Sequence, residues 1–408
     1  MKKVQKILAL SIFITILSIS ISINVVPVNA CYNSSEFEEY AYWKDSHGQK
    51  YLEIKANDYY SLGCFEGIEL ADKILTMKAS IEALFSGYGI PYDYLRDLAN
   101  LYKPYIPEDY ITEMQGMADV LDFQGIIFDD ILLQNCFIDI YYGQLVPQLS
   151  GSPRPPLEIG CTGMASKNKD GSVTIGQNFD FSQFLHPTLS FVLHQIKGKP
   201  AIFSLRMGGM LGLPMGKNSK GIISTVNVVE TIIIGSIDVP STSRTRLGFE
   251  NSKSAEEFFD YLNISTLPVS YNSIYADKKS NVIGTQNIPN LSLKEEIEVG
   301  EFLVRSNTYI TEEFKPYLLD PSYSVNRQNK AEELVGESFV DEKLSLYELI
   351  NILQYKDNTD ASICRIGSID PVETQTGAFM ACRQFRIFGF GIFGLGNALE
   401  SNWGIIPI

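Results

Sequence analysis

A cysteine preceded by glycine, in Gly160-Cys161-Thr162, is the feature of the sequence with the clearest chemical potential. A cut between Gly160 and Cys161 gives Cys161 a free α-amino group beside its thiol. An α-amine titrates at about 7.7–8.0 and a thiol at about 8.5, so the amine can accept the thiol proton close to neutrality. Such a residue is both nucleophile and base, and it needs no distant histidine. We therefore predict self-cleavage before Cys161, followed by thiol chemistry on an acyl group.

The residues after Cys161 predict a β-hairpin that brings a carboxylate toward it. An Asp-Gly pair beginning at Asp170 is a strong signal for a hairpin turn. With pairing centred between Lys169 and Asp170, Cys161 faces Asn178. Asn178 and Asp180 then share one face of the second strand, because side chains alternate with a period of two.

The elements around this hairpin predict a helical segment followed by a β-rich one. Apolar residues at three- and four-residue spacing predict helices over 66–87, from Pro107 onward and over 129–142. Four prolines in residues 147–156 predict an exposed linker. After Cys161, short β-rich runs alternate with three helical segments. The predicted strands cover 172–177, 189–196, 201–207, 222–229, 270–276, 302–305 and 377–383, and the predicted helices lie near 254–262, 328–335 and 344–354.

The N-terminus predicts export. Lysines at positions 2, 3 and 6 precede an apolar run over 7–26 and the small-residue site Val28-Asn29-Ala30, which is the order of a secretory signal. The run is also long enough to be retained as a membrane anchor. Cys31 resembles the modified cysteine of bacterial lipoproteins, and an ordinary secreted N-terminus is the alternative. The predicted divisions are a signal peptide (1–30), a helical pro-segment (31–160) and a catalytic chain (161–408).

Charge and cysteine spacing exclude several classes of function. The net charge of −15 argues against a nucleic-acid partner, because phosphate binding needs clustered Lys and Arg. The six cysteines show no paired C-x-x-C spacing, so we expect neither a structural zinc site nor a cofactor. In an oxidising compartment Cys64, Cys136, Cys364 and Cys382 can form two disulfides, with the connectivity open and Cys161 left free.

Short motifs spread from about Tyr60 to the C-terminus resemble those of one family. They are Tyr60–Gly67, Glu113–Asp119, Asp130–Asn135, Gly160-Cys161-Thr162, Asn178-Phe179-Asp180, Gly216-Lys217-Asn218, Gly221, Asn227, Ser324–Arg327 and Ser362–Arg365. Their order and spacing resemble the acyl-coenzyme A:6-aminopenicillanic acid acyltransferase-like branch of the N-terminal-nucleophile hydrolases, related to penicillin V acylase and bile salt hydrolase. The resemblance implies an α+β fold with four αββα layers, in which two antiparallel sheets lie between helices. It also implies a small-molecule acyl amide as substrate.

The resemblance further implies roles for single residues. Cys161 is the nucleophile of both self-cleavage and catalysis, and Asp180 orients its new amino group. Asn227 and Asn272 match positions that stabilise the tetrahedral oxyanion, although either can equally be a loop residue bonded to its own backbone. Arg327 matches an arginine near the nucleophile that holds a thiolate or a substrate carbonyl.

Two residues depart from the pattern of the family. Gln177 stands where several relatives carry an arginine, and Gln286 stands where an acidic residue is common. These differences affect the expected substrate class more than the expected mechanism.

Two other functions are compatible with the sequence. A Cys-His thiol hydrolase is one alternative, with His186 or His194 as base. The other is an exported binding protein that kept the fold without activity. We expect the pro-segment to remain associated with the catalytic chain after the cut.

Overall fold

The computed structural model describes residues 38–151, 160–319, 322–357, 359–366 and 374–408. The predicted signal peptide (1–30), Cys31 and residues 152–159 of the predicted linker lie outside these ranges. Among the described residues, two β-sheets are stacked between layers of helices.

The strands and helices are numbered along the chain. The strands are β1 (Tyr40–Ser46), β2 (Gln49–Ala56), β3 (Thr162–Lys167), β4 (Val173–Ser182), β5 (Leu189–Ile196), β6 (Ile202–Met207), β7 (Gly216–Asn218), β8 (Ile223–Val228), β9 (Tyr271–Ala276), β10 (Val282–Ile288), β11 (Leu291–Glu296), β12 (Glu301–Arg305), β13 (Thr374–Gln384), β14 (Gly389–Leu395) and β15 (Gly404–Ile405). The α-helices of more than one turn are α1 (Tyr59–Glu69), α2 (Ala71–Ser86), α3 (Tyr92–Tyr102), α4 (Glu108–Leu121), α5 (Phe128–Ile138), α6 (Ser241–Asn251), α7 (Ala255–Leu262), α8 (Ser322–Ser338) and α9 (Leu346–Leu353).

The two sheets form the middle layers of the fold. One has nine strands in the order β1-β2-β5-β6-β7-β8-β9-β10-β11, and the other has six in the order β12-β3-β4-β13-β14-β15. Their pairs are antiparallel apart from β2 with β5, which is parallel. Helices α1, α2, α6 and α7 contact the nine-stranded sheet, and α8 and α9 contact the six-stranded one. The predicted four-layer αββα fold is confirmed.

The central strands are buried on both faces because helices cover the outer face of each sheet. All residues of β4, β6, β9 and β10 are buried. Such strands do not show the simple apolar and polar alternation of a half-exposed sheet. Three helices begin at side-chain caps: Asp58 caps α1, Ser254 caps α7, and Ser345 forms a capping box with Glu348 at the start of α9.

Several elements differ from the predictions. The helix predicted over 66–87 is two helices that meet at Leu70, and the one predicted over 129–142 ends in a π-helix, Asp139–Leu145. A β-carbon on Gly143 in that π-helix would lie 1.9 Å from the carbonyl oxygen of Pro268, so this close approach requires glycine. The segment before Cys161 also contains the hairpin β1–β2, which adds two strands to the nine-stranded sheet.

The two disulfides that the sequence allows among Cys64, Cys136, Cys364 and Cys382 do not form in this structure, because Cys136, Cys364 and Cys382 are free thiols. Cys136, Cys161, Cys364 and Cys382 are each buried and form no disulfide among the described residues, and Cys64 is also buried. Within the described ranges, no helix has the length and apolar character needed to cross a bilayer.

Candidate active site

Cys161 is fully buried and lies immediately before β3, at the end of the β-sandwich where that strand begins. The Gly160 N–H donates to the Asp180 carbonyl over 3.0 Å, and the Cys161 Sγ lies 3.9 Å from the same oxygen. Burial raises the pKa of the Cys161 thiol to about 12, and the nearby Asp180 acts in the same direction. In the intact chain the cysteine is therefore a neutral thiol.

The hairpin of β3 and β4 brings Asp180 to Cys161, but its register differs from the prediction by one residue. Thr162, not Cys161, pairs with Asn178, and the loop has three residues between Asn168 and Ser172. Gly171 takes a positive φ of 79°, which closes this longer loop. The Asp-Gly signal correctly placed the turn, but it did not distinguish a two-residue loop from a three-residue one.

One carboxylate oxygen of Asp180 accepts a hydrogen bond, and the other does not. Its Oδ1 accepts a hydrogen bond from Thr376 Oγ1 over 2.7 Å. Its Oδ2 is buried and has no hydrogen-bond partner among the described residues. Burial raises the pKa of Asp180 to about 6, although Arg327 and Arg365 act in the opposite direction. A buried acceptor without a donor is costly, so this oxygen is available to accept a hydrogen bond from a further group at the site.

Arg327 of α8 contacts the bond that we predict to be cut. Its Nη1 donates to the Gly160 carbonyl over 2.6 Å and to the Cys161 carbonyl over 2.8 Å. Its Nη2 donates to Asn307 Oδ1 over 3.2 Å, which fixes the plane of the guanidinium. Burial and the neighbouring Arg365 lower its pKa to about 10, so the side chain is still charged at neutrality. The cation is thus aimed at the oxygen on which charge develops when a thiol attacks Gly160.

Arg365 also lies at this site, although the sequence patterns assigned it no role. A β-carbon built on Gly160 would lie 2.8 Å from Arg365 Nη1 and 3.3 Å from Asp180 Oδ2. Any larger residue at 160 would displace these groups, which explains the glycine before Cys161. Arg365 is the last residue of the family-like motif Ser362–Arg365. Its place in that motif is the sequence feature that could have indicated a role at the site.

The two candidate oxyanion asparagines face each other on adjacent strands, β8 and β9, but their amide groups differ. Asn272 Nδ2 donates to the carbonyls of Ser306 and Thr308 over 2.9 and 2.6 Å. Asn227 Nδ2 has no partner among the described residues and lies 3.5 Å from where a β-carbon on Gly163 would be. Asn227 is therefore the one of the two with a donor free for a ligand.

This difference gives a prediction for single substitutions. Asn227→Ala should lower kcat for amide cleavage by roughly 10²–10³-fold, because one oxyanion donor is lost. Asn272→Ala should lower kcat less, since its two N–H groups already bind the 306–308 backbone. Steady-state kinetics on cleaved protein measures both effects. A larger loss of kcat from Asn272→Ala than from Asn227→Ala would contradict the assignment.

Gln177 joins the two sheets rather than facing a ligand. Its Nε2 donates to the Val226 carbonyl and, over 3.3 Å, to Asn227 Oδ1. Its Oε1 accepts from the Val226 N–H over 3.2 Å. The side chain at the position where relatives carry arginine therefore orients Asn227.

Neither candidate histidine forms a hydrogen bond to Cys161 within the described residues. His186 Nε2 lies 3.0 Å from the Phe181 carbonyl. His194 is buried beside Arg206, with 3.1 Å between Nδ1 and Nη2, and burial lowers its pKa well below the usual value. These surroundings give no support to a Cys-His pair.

An apolar cavity of about 50 Å³ lies at the same end of the sandwich as Cys161. Phe179 of β4, Val228 at the end of β8 and Tyr271 at the start of β9 line it. Ile138, from the segment before Cys161, contributes another part of its wall. The segment Met207–Met215, which could line an acyl pocket on sequence grounds, contributes Leu213 and Pro214 to the lining.

The cavity wall is linked to the Gly160 carbonyl by three hydrogen bonds in series. Asn307 Nδ2 donates to the Val228 carbonyl over 2.7 Å, and Asn307 Oδ1 accepts from Arg327. Arg327 in turn donates to the Gly160 carbonyl.

Comparison with known proteins gives one family and a set of related structures. A sequence model of the family described as acyl-coenzyme A:6-aminopenicillanic acid acyl-transferase matches residues 166–373. No curated protein matches the chain. A Caenorhabditis elegans ortholog of N-acylethanolamine-hydrolyzing acid amidase is 16% identical, with 54% of this chain and 92% of that chain covered and a TM-score of 0.40.

Two bacterial structures are similar to the same degree. Penicillin V acylase from Agrobacterium tumefaciens is 12% identical, covering 60% of this chain and 86% of its own, with a TM-score of 0.39. A variant of conjugated bile acid hydrolase from Clostridium perfringens is 13% identical, covering 60% of this chain and 96% of its own, with a TM-score of 0.40.

Proposed function

The chain belongs to the acyl-coenzyme A:6-aminopenicillanic acid acyl-transferase family, and on that premise we propose that it is an exported, self-cleaving amide hydrolase or acyltransferase. Its nucleophile is Cys161, and its substrate is a non-peptide linear amide. The observation that carries this proposal is the hydrogen bond from Arg327 Nη1 to the Gly160 carbonyl, 2.6 Å long, in a chain where Cys161 follows that carbonyl.

Self-cleavage begins with attack of the Cys161 sulfur on the Gly160 carbonyl carbon. The thiol proton passes to the departing backbone nitrogen, which becomes the free α-amine of Cys161, while a thioester joins Gly160 to the sulfur. Arg327 stabilises the charge on the carbonyl oxygen during this step. Water then opens the thioester, leaving a carboxylate on Gly160 and the thiol on Cys161.

The same groups then serve catalysis on the substrate. The α-amine takes the thiol proton, and the thiolate attacks the amide carbonyl. The leaving amine takes that proton, and the acyl group remains as a thioester until water or another amine accepts it. The unpartnered Oδ2 of Asp180 supports a role in holding the new ammonium group. Asn227 Nδ2 is the additional oxyanion donor.

The cavity supports an apolar acyl group. Its wall is formed largely by aliphatic and aromatic side chains, and an apolar group gains free energy by leaving water there. Activity profiling of cleaved protein with acyl amides of varied chain length tests this part of the proposal. Substrates with a charge at the far end of the acyl group should be poor, and equal rates for charged and apolar acyl groups would contradict it.

Buried ion pairs support continued association of the two pieces after the cut. Glu113 of α4 lies 3.0 Å from Arg246 of α6, and Glu66 of α1 lies 2.9 Å from Arg206 of β6. All four side chains are buried. Separating the pieces would leave these charges without partners, which typically costs about 3–5 kcal/mol for a buried pair.

Asp180→Asn should leave the chain folded and lower amide cleavage by roughly 10²-fold or more. Asparagine can still accept from Thr376, but it does not supply the charge that holds an ammonium base in position. Thermal unfolding and kcat/KM of cleaved protein, measured side by side, separate a catalytic loss from a folding defect. Full activity in this variant would remove Asp180 from the mechanism.

Two measurements test processing and export directly. N-terminal sequencing should find a species that begins Cys161-Thr162-Gly163 and another that begins at Cys31. A lipid mass on Cys31 would make the protein membrane-anchored, and a cytosolic product starting at Met1 would overturn export. Secreted protein that remains intact and does not react with thiol-directed acyl probes at Cys161 would favour the binding-protein alternative.

A further inference from the structure

The end of the β-sandwich opposite Cys161 is formed by the turns of both sheets. The turn after β3 contacts the turn between β9 and β10, where Ser280 Oγ donates to the Gly171 carbonyl. Lys278 Nζ donates to the Ser219 carbonyl over 3.3 Å, and the Ser219 N–H donates to the Ala201 carbonyl over 2.8 Å. These contacts join the turns into one continuous surface, which we call the turn face.

A strongly apolar hairpin tip projects from the turn face, between β13 and β14. The side chain of Ile387 is 90% exposed and that of Phe388 is 58% exposed. Phe388 stacks on Phe385, with ring centroids 4.8 Å apart, so the tip has a defined shape. The last residue pair of β13 with β4, Gln384 with Val173, lies just before this tip, so the tip lies at the same end of the sheet as the β3–β4 turn. Exposed apolar groups of this kind mark interaction sites.

Five basic side chains in or beside these turns form no ion pair within the described residues, and we call them the cationic rim: Lys197, Lys220, Lys278, Lys279 and Arg386. The acidic side chains of the same end include two in ion pairs, together with Asp277, which is buried and accepts hydrogen bonds from the Lys279 and Asn281 N–H groups, and Asp341, which is exposed. Asp170 is paired with Arg383 and Lys343, and Glu342 with Lys169. Glu298 and Glu301 lie beside β12, which is the far edge of the six-stranded sheet. Unpaired cations on the same face as an apolar tip are notable in a chain of net charge −15.

The N-terminus of the described chain emerges at the turn face. Tyr40, at the start of β1, pairs with Lys55 of β2, and Lys55 pairs with Gln195 of β5. The next turn begins at Lys197, whose N–H donates to the Ala56 carbonyl over 3.0 Å. Residues 31–37 precede this point and can span at most about 25 Å, at about 3.5 Å per residue. An anchor at Cys31, or a retained apolar run over 7–26, would therefore hold this face within reach of a bilayer.

We propose that the turn face docks on an anionic lipid surface. Ile387 and Phe388 insert among the headgroups, and the cationic rim lies against the lipid phosphates. Lipid is favoured over a nucleic acid because the cations share one face with an apolar projection, and over a second copy of the chain because the N-terminal segment leads to the same face. Interfacial binding combines buried apolar area with attraction between basic residues and anionic lipid.

Binding to lipid vesicles tests the proposal. The protein used is the exported chain with Cys31→Ser, because this substitution prevents attachment of a lipid at residue 31. Vesicles containing phosphatidylglycerol should bind the protein, and vesicles of phosphatidylcholine alone should bind it at least about tenfold more weakly. The double variant Ile387→Ser/Phe388→Ser should reduce binding to anionic vesicles at least about tenfold. The matched control is Phe123→Ser, since Phe123 is 56% exposed in the segment before the cut, and it should bind as the parent does.

The charge contribution has its own control pair. Lys278→Glu/Lys279→Glu should weaken binding by about tenfold or more, whereas Lys44→Glu/Lys50→Glu, in the β1–β2 hairpin at the other end of the sheet, should not. Self-cleavage should be unchanged in every variant, which verifies folding. Equal binding by all variants, or no binding by the parent, would refute the proposal. So would light scattering in which the tip variants convert a dimer to a monomer, because the tip would then be a contact between copies.

A probe at the tip distinguishes insertion from simple attraction. Ile387→Cys, in a Cys31→Ser/Cys161→Ala background, provides an exposed thiol for an environment-sensitive fluorophore, since the other described cysteines are buried. Its emission should shift to the blue with anionic vesicles, and a label at Phe123→Cys should not shift. An unshifted label at position 387 on bound protein would overturn insertion of the tip.

Discussion

Replacing Cys161 with alanine should leave the chain in one piece and reduce amide cleavage to background. The sulfur is the only group that can form the thioester with Gly160, and without the cut there is no α-amine to act as base. Loss of a nucleophile typically costs roughly 10⁴–10⁶-fold in kcat. Gel electrophoresis and mass spectrometry of freshly purified protein measure the cut, and acyl-amide turnover measures the activity.

Cys382→Ala is the matched control. Cys382 is also a fully buried thiol in the six-stranded sheet, at the β13 position that pairs with Ile175. Its substitution removes the same atom from a similar environment and should leave both cleavage and turnover intact. A Cys161→Ala chain that still separates into residues 31–160 and 161–408 would rule out self-cleavage by Cys161.

Replacing Arg327 with methionine should slow self-cleavage by roughly 10²–10³-fold, the usual effect of removing an oxyanion donor. Methionine fills much of the same volume, but it cannot donate to the Gly160 carbonyl, which now receives a hydrogen bond 2.6 Å long. The variant should accumulate as precursor, and the rate of its conversion can be followed by electrophoresis over hours to days.

A second buried arginine separates the role of Arg327 from a general effect of losing a buried charge. Arg383 of β13 is 8% exposed and is paired with Asp170 at the far end of the same sheet. Arg383→Met should cleave at the parental rate even if it is less stable. Equal slowing in both variants would assign the effect to folding, and normal cleavage in Arg327→Met would move the oxyanion site elsewhere.

Much of the β-rich part could be predicted because its turns and apolar runs are local signals. The strands over 189–196 and 201–207 were predicted to within a residue of β5 and β6. The hairpin β1–β2 was missed because β1 is an edge strand whose residues are mostly exposed, so it shows no buried face in its sequence. The parallel pairing of β2 with β5 joins residues about 140 positions apart, and no local pattern records it.

The residues of the site could be predicted from the sequence, but most of their contacts could not. Cys161 and Asp180 lie close together because one hairpin joins them, and the Asp-Gly pair in the sequence predicted that hairpin. Arg365 and Thr376 reach Asp180 only through the pairing of β13 with β4, which depends on the whole sheet. The side-chain N–H groups of Asn272 are occupied because they donate to the backbone carbonyls of residues 306 and 308. No side-chain pattern in the sequence indicates those contacts, so the difference between Asn272 and Asn227 could not be predicted.

The parallel pairing of β2 with β5 has a consequence for how the protein can be renatured. In the intact chain this pairing forms within one molecule, so folding is a first-order process that does not depend on concentration. If the bond before Cys161 is cut as we propose, β2 and β5 belong to different polypeptides, and recovery from full denaturation becomes a second-order encounter that competes with aggregation. The proposed cut would thus replace a first-order folding reaction with a second-order assembly, and we expect the separated pieces to regain the structure more slowly than the intact chain does.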